Sequence, residues 1–234
     1  MFSHGNYGDV VCLAPGLGGA PSPARPAWRY TDGMAFLIDE AFLPATLTAP
    51  PMSDEEFAAF CAEHPDLFFE MSADGELIVM PPTFSFTGAR NNQLGRQLGA
   101  WAEQDGRGIA CDSSIGFMLP NGARRSPDAA WILRSRVQQL GPDQQRGYWH
   151  LCPDFVIELR SESDRLRPLR KKMDEWLASG AQLGWLIDPD TRTVEIYRPG
   201  HEPRVMAGLS EVTGEEPVSG FSLNLARVWD PLSA

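Results

Sequence analysis

Apolar positions along the chain switch between a repeat near 3.6 residues and a repeat of two, and the order of the switches predicts the elements. Residues 1–45 follow neither repeat. Pro15, Gly16, Gly18, Gly19, Pro21, Pro23 and Pro26 crowd together there, so the segment reads as a loosely ordered N-terminal extension. Gly16-Leu17-Gly18 has no strand pattern before it and no helix pattern after it, which argues against a dinucleotide loop. Ordered structure is expected from Ser53, which with Glu56 forms a capping box for a short helix through Phe57 and Phe60 to Cys61. Two apolar-rich runs, 67–71 and 76–80, flank Ser72-Ala73-Asp74-Gly75 and predict a hairpin. Leu94, Leu98 and Trp101 fall at i, i+4 and i+7, predicting an amphipathic helix over 88–104. Strand patterns follow at 109–119, 126–133 and 153–160, with a polar stretch at 134–150 that has room for a short helix. Leu166, Leu169, Met173, Trp176 and Leu177 then mark a helix over 165–179 that Gly180 terminates, and 183–188 with 193–198 reads as a second hairpin.

Helix, three strands, helix and strand pair in this order predict a mixed α/β domain over 46–234: a central mixed β-sheet flanked by helices, with added β-hairpins. With 234 residues, 43% of them apolar, the chain can bury a sizeable core in one domain. No apolar run approaches the roughly 20 residues of a membrane-spanning helix, and the first residues lack the order of a secretory signal. The reading is a cytoplasmic protein without a membrane partner. Cys12, Cys61, Cys111 and Cys152 lie far apart and read as reduced thiols, and His4, His64, His150 and His201 are scattered without metal spacing. A net charge of −11 argues against broad nucleic-acid affinity, but residues 160–172 hold six basic residues against two acidic ones.

Candidate chemistry centres on two acids in neighbouring strand patterns, Asp128 in Ser126-Pro127-Asp128 and Glu158 in 153–160. Strand alternation puts Glu158 and Arg160 on one face, opposite Phe155, Ile157 and Leu159. A carboxylate pair beside a guanidinium is where a divalent cation and a phosphate could meet. Magnesium, or manganese in its place, suits such oxygen ligands and needs only one or two protein carboxylates. Taken singly, Asp128 is a turn aspartate, Glu158 a strand acid paired to a base, and Arg160 a surface partner. Asp112 and Glu76 are weaker candidates for a third ligand.

Glu76-Leu77-Ile78-Val79-Met80-Pro81-Pro82, Arg125-Ser126-Pro127-Asp128, the run 153–161, the helix carrying Lys172, and Gly184-Trp185-Leu186-Ile187-Asp188-Pro189 occur in this order. Together they resemble the Uma-type family of restriction endonucleases, in the PD-(D/E)XK nuclease superfamily, over about residues 50–230. The resemblance implies a restriction endonuclease-like core and a metal-dependent endonuclease acting on DNA in preference to RNA, with a homodimer permitted. It implies Asp128 and Glu158 as catalytic metal ligands, with Arg160 standing at the family's lysine position and a lysine on the next helix replacing it. On a helical wheel Lys172 lies at the edge of the apolar face and Lys171 points away, so Lys172 is the substitute. In this reading Lys172 positions or deprotonates the attacking water and Arg160 braces a phosphate oxygen. Relatives commonly carry a glutamate where this chain has Phe86. Phe86, Arg160 and the acidic charge favour an alternative, a catalytically degenerate fold kept as a binding or assembly module. A second alternative, a hydrolase of small phosphate esters, would need a narrow pocket in place of an open groove.

Overall fold

The computed structural model describes residues 44–49, 52–80 and 83–233, so the expected extension lies outside the described residues except for positions 44 and 45, as do Pro81 and Pro82. In chain order the elements are β1 (Ala45–Thr48), α1 (Asp54–Glu63), β2 (Phe68–Met71), β3 (Glu76–Met80), α2 (Ser85–Asp105), β4 (Gly108–Asp112), β5 (Phe117–Met118), β6 (Arg124–Arg125) and β7 (Ala129–Leu133). They continue with α3 (Arg134–Val137), α4 (Pro142–Arg146), β8 (Phe155–Leu159), α5 (Leu166–Ala178), β9 (Leu183–Asp188), β10 (Thr193–Tyr197), β11 (Arg204–Ala207), β12 (Glu211–Thr213), β13 (Ser222–Asn224) and α6 (Ala226–Trp229). The central sheet has the order β11-β10-β9-β8-β7-β4 and is mixed, because β8 and β9 run parallel across α5 while its other pairs are antiparallel.

Both faces of this sheet are covered, which is why β8 and β9 read as nearly unbroken apolar runs. Phe155, Ile157, Trp131 and Trp185 pack with Leu94 and Leu98 of α2 on one face. Val156, Ala130, Ile132 and Leu186 pack with Met173 and Trp176 of α5 on the other. Phe57 and Phe60 of α1 close a separate cluster over Phe69, Met71, Leu77 and Val79. The capping box at Ser53 and Glu56 is present, with Ser53 N donating to Glu56 at 2.7 Å and Glu56 N to Ser53 Oγ at 3.2 Å.

Two segments depart from the pattern reading. The predicted strand over 109–119 is two strands in two sheets, because Asp112 takes Ser114 N at 3.0 Å and Ser114 Oγ at 2.6 Å, turning the chain out of the central sheet. The predicted hairpin β2–β3 grows into a second sheet, β1-β3-β2-β6-β5, by recruiting β1, whose pairing begins before Ser53. β1 has only Leu47 as a large apolar residue and is held by its antiparallel ladder to β3.

The join of β4 to β7 is tight. A Cβ on Gly108 would lie 2.2 Å from the fully buried indole of Trp131. Gly108→Ala should therefore destabilise the fold by about 1–3 kcal/mol, read as a lower midpoint in chemical denaturation. Gly99→Ala, which meets nothing within 4 Å, serves as the neutral or stabilising comparison.

Candidate active site

Glu158 is an acid in a strand buried along its whole length, and is itself 2% exposed. Such a carboxylate persists only if it is paired and hydrogen-bonded. Its partners come from α5, where Lys172 and Trp176 stand one turn apart. Trp176 Nε1 donates to Oε1 at 2.8 Å, and Lys172 Nζ lies 2.9 Å from Oε1 and 3.0 Å from Oε2. The same ammonium donates to Ser126 O at 2.9 Å and to Glu70 Oε1 at 2.8 Å.

Glu70, on β2 and 2% exposed, escaped the sequence reading. It accepts from Ser126 N at 3.0 Å and from Arg125 Nη1 at 3.0 Å, and Arg125 reaches on to Glu175 of α5. The signal was there. One acid within the apolar run Phe68-Phe69-Glu70-Met71 needs a partner as soon as that strand is buried.

Asp128 stands just before β7, and the antiparallel register Ala129↔Ile157 leads it toward Glu158. Its Oδ2 takes Leu159 N at 2.7 Å and its Oδ1 takes Asn91 Nδ2 of α2 at 2.9 Å. Asn91 Oδ1 is buried and accepts no hydrogen bond. Asp128, Glu158 and Lys172 line one cavity of about 160 Å³, with Asp164 and Ser161 of the β8–α5 loop at its edge. Thr83, Asn91, Ser113 and Asp128 also line a second depression of about 530 Å³ that runs along Gly88, Gly95 and Gly99 of α2.

Four carboxylates, Glu70, Asp128, Glu158 and Glu175, meet two permanent cations, Lys172 and Arg125. Their titration follows from that imbalance. Burial, with Asp128 and Glu70 close by, pushes Glu158 up to about 8 against the pull of Lys172. Burial likewise raises Asp128, opposed by Leu159 N–H and Lys172. Burial acts against the Glu70 anion too, but Lys172 and Arg125 outweigh it and hold Glu70 below the usual range. Lys172 is buried, which disfavours its charge, yet Glu158 and Glu70 raise its pKa on balance. Lys172 is thus a fixed cation, and Glu158 is the acid left with surplus negative surroundings.

The remaining predicted residues lie apart from the cavity. Arg160 Nη1 bridges Asp188 at 3.0 Å and Asp190 at 3.2 Å, and its Nε donates to Asp164 O, so its side chain does not line the cavity. Lys171 is exposed. Phe86 is half-exposed and outside the cavity, while the next residue, Thr87, is buried and lines it. Asp112 is engaged by Ser114, and Glu76 is exposed at the start of β3. Among the described residues no three His, Cys, Asp or Glu side chains form a ready metal cage, and Cys61, Cys111 and Cys152 are free thiols. The donor set still fits a hard divalent cation. Asp128 and Glu158 offer oxygen ligands, the negative surplus calls for positive charge, and the unpartnered Asn91 oxygen could accept from an ion's water.

The raised acids have a measurable consequence. A carboxylate whose pKa rises on folding stabilises the protonated fold fully below its unfolded value and loses that contribution as pH climbs through the folded value. With Glu158 moving from 4.5 to about 8, the metal-free protein should melt progressively lower between those pH values. Glu158→Gln should flatten that decline, and manganese should raise the melting temperature most at the alkaline end. Thermal melts across pH, with chelator and with manganese, measure this.

A comparison with curated proteins gave no match. Among solved structures, the crystal structure of "a putative nuclease belonging to DUF820" from Anabaena variabilis ATCC 29413 is similar, with a TM-score of 0.63 and 22% identity over 76% of this chain and 98% of that one. That likeness shows a shared fold. A cryo-electron-microscopy structure of a DrdV–DNA complex aligns with a TM-score of 0.32 and 16% identity, over 53% of this chain and 76% of that one. The Uma2 family, described as "Putative restriction endonuclease", matches residues 54–226, a span that holds Asp128, Glu158 and Lys172 together with Glu70, and the chain belongs to that family.

Proposed function

We propose that this protein is a metal-dependent nuclease that hydrolyses phosphodiester bonds, in DNA by preference, at the cavity holding Asp128 and Glu158. The observation that carries the proposal is the meeting of these two acids with the buried Lys172 ammonium in one cavity. That cavity shares Asp128 and Asn91 with a longer open depression, which suits a chain-like substrate better than a small phosphate ester. The family description favours DNA.

Asp128 and Glu158 would hold magnesium or manganese, which when bound supplies charge to the phosphate oxygens and acidifies water. Lys172, kept protonated by Glu70 and Glu158, contributes positive charge and fixes Glu158 in place, and it takes no proton. Glu70, itself held by Arg125, in turn holds the ammonium. Trp176 orients Glu158 through Oε1, and Asn91 orients Asp128 through Oδ1. Arg160 anchors the β8–α5 loop through Asp164 O and supports the cavity's edge.

Cleavage of single-stranded and duplex DNA should require magnesium or manganese and vanish in excess chelator. Asp128→Asn should lower turnover by about 10²-fold or more while the fold survives, as should Glu158→Gln. Metal-independent cleavage, or full activity in both variants, would overturn the assignment. A folded protein that binds manganese through Asp128 yet cuts nothing would favour the degenerate binding module.

The two lysines make a second comparison. Lys172→Ala strands Glu70 and Glu158 and should cost about 3–5 kcal/mol of stability as well as activity, whereas Lys171→Ala should leave both close to wild type. Arg160→Ala should fall between them in turnover. Circular dichroism melts alongside cleavage rates separate folding from chemistry.

A further inference from the structure

We infer that the site takes an unpaired nucleic-acid strand, whose bases stack on an aromatic rim made by Phe68 and Phe84 with Phe86 beside them; this rests on the nuclease reading above. Phe68 is 51% exposed, Phe84 62% and Phe86 47%, and among the described residues the other large exposed apolar side chains are Val205 and Leu232, elsewhere in the chain. Phe68 and Phe84 line the same cavity as Asp128 and Glu158. Two of the three exposed rings therefore stand at the site, where exposed apolar surface most often has a use.

Phe68 and Phe84 reach the opening by different routes, and Phe84 does so against local preference. Strand alternation puts Phe68 on the face of β2 that carries Glu70, so the strand that holds Lys172 from below presents a phenyl ring at the opening. Phe84 occupies the N-cap of α2, where Ser, Thr, Asp or Asn would bond a free N–H, and it makes no side-chain cap. A broken local rule at a site's edge is where function is expected. Phe86 carries the Arg90 guanidinium 6.0 Å from its ring centroid, adding a cation next to the aromatic surface.

Charge and shape both select an unpaired strand. Bases in a duplex stack on one another and offer only their edges, whereas an unpaired base offers a face to a phenyl ring. Stacking also gives affinity without relying on a basic surface, which matters for a chain of net charge −11. Arg165 and Arg167 at the start of α5 are exposed and, among the described residues, have no ionic partner; they follow closely on Asp164 of the cavity edge and are free to meet phosphates.

The test uses the full chain with calcium in place of magnesium and a fluorescent oligothymidylate, or a duplex of equal length, read by anisotropy. The single strand should bind at least about 10-fold more tightly than the duplex, and Phe84→Ala and Phe68→Ala should each weaken it by about 5- to 100-fold. Phe84→Trp should retain binding and Val205→Ala should be silent; all these positions are exposed, and thermal melts confirm that the variants fold. Equal affinity for duplex, or alanine variants that bind like wild type, overturns the inference. So does a sedimentation result in which Phe84→Ala turns a dimer into a monomer, since the rim would then be a self-association surface. Manganese binding that depends on Asp128, followed by electron paramagnetic resonance, reports on the site separately. If it persists while strand binding fails, the rim is wrong and the metal site stands; if the strand binds through Phe84 but is never cut, the rim stands and the nuclease reading falls.

Discussion

The Lys172 ammonium is held out of water between Glu70 and Glu158, and the arrangement of the site depends on that contact. Lys172 and Glu70 are charges withdrawn from solvent and tolerable only together, and removing Lys172 would leave both Glu70 and the Glu158 carboxyl without their donor. The contact also joins three parts of the fold. Glu70 comes from the second sheet, Glu158 from the central sheet and Lys172 from the helix that crosses between β8 and β9. The second sheet is thereby fixed against the central one by a bond with direction, where apolar packing alone would allow sliding. Arg125 extends the same bond to Glu175, so α5 is gripped at two points.

The periodic elements were legible because their burial is one-sided or complete in a regular way. α5 shows its apolar stripe, β8 its run of apolar residues broken only by Glu158, and α1 its capping box, and all three take the form that their patterns predict. A helix of known phase fixes direction, and α5 turns Lys172 inward and Lys171 outward as its wheel has them. What the pattern does not carry is information held in side-chain bonds between distant segments. Asp112 ends a strand through Ser114, which hydrophobic periodicity does not register. Glu70 earns its place from Lys172, over a hundred residues further along, and Arg160 is claimed by Asp188 and Asp190 in a turn that sequence spacing could not bring beside it. β1 is a strand by virtue of an edge waiting on β3, a property of the partner and not of its own residues.

The excess of carboxylates over cations gives the site its character. Burial and the neighbouring acids push Glu158 up to about 8 against the pull of Lys172, and Asn91 Oδ1 is buried beside Asp128 without a protein donor. Arg160 holds a loop and a turn, while the charge facing Glu158 arrives from a helix.

A charge supplied from a helix constrains how the segment can change over generations. Lys172 and Trp176 contact the same carboxylate from positions four apart, so both depend on the phase of α5. Inserting or deleting one residue ahead of them would turn each side chain by about 100° and shift it about 1.5 Å along the axis, carrying both off Glu158 at once. In lineages of this fold with the helical lysine the stretch between Asp164 and Trp176 should therefore keep its length, with insertions accumulating beyond Gly180 or in the β10–β11 turn.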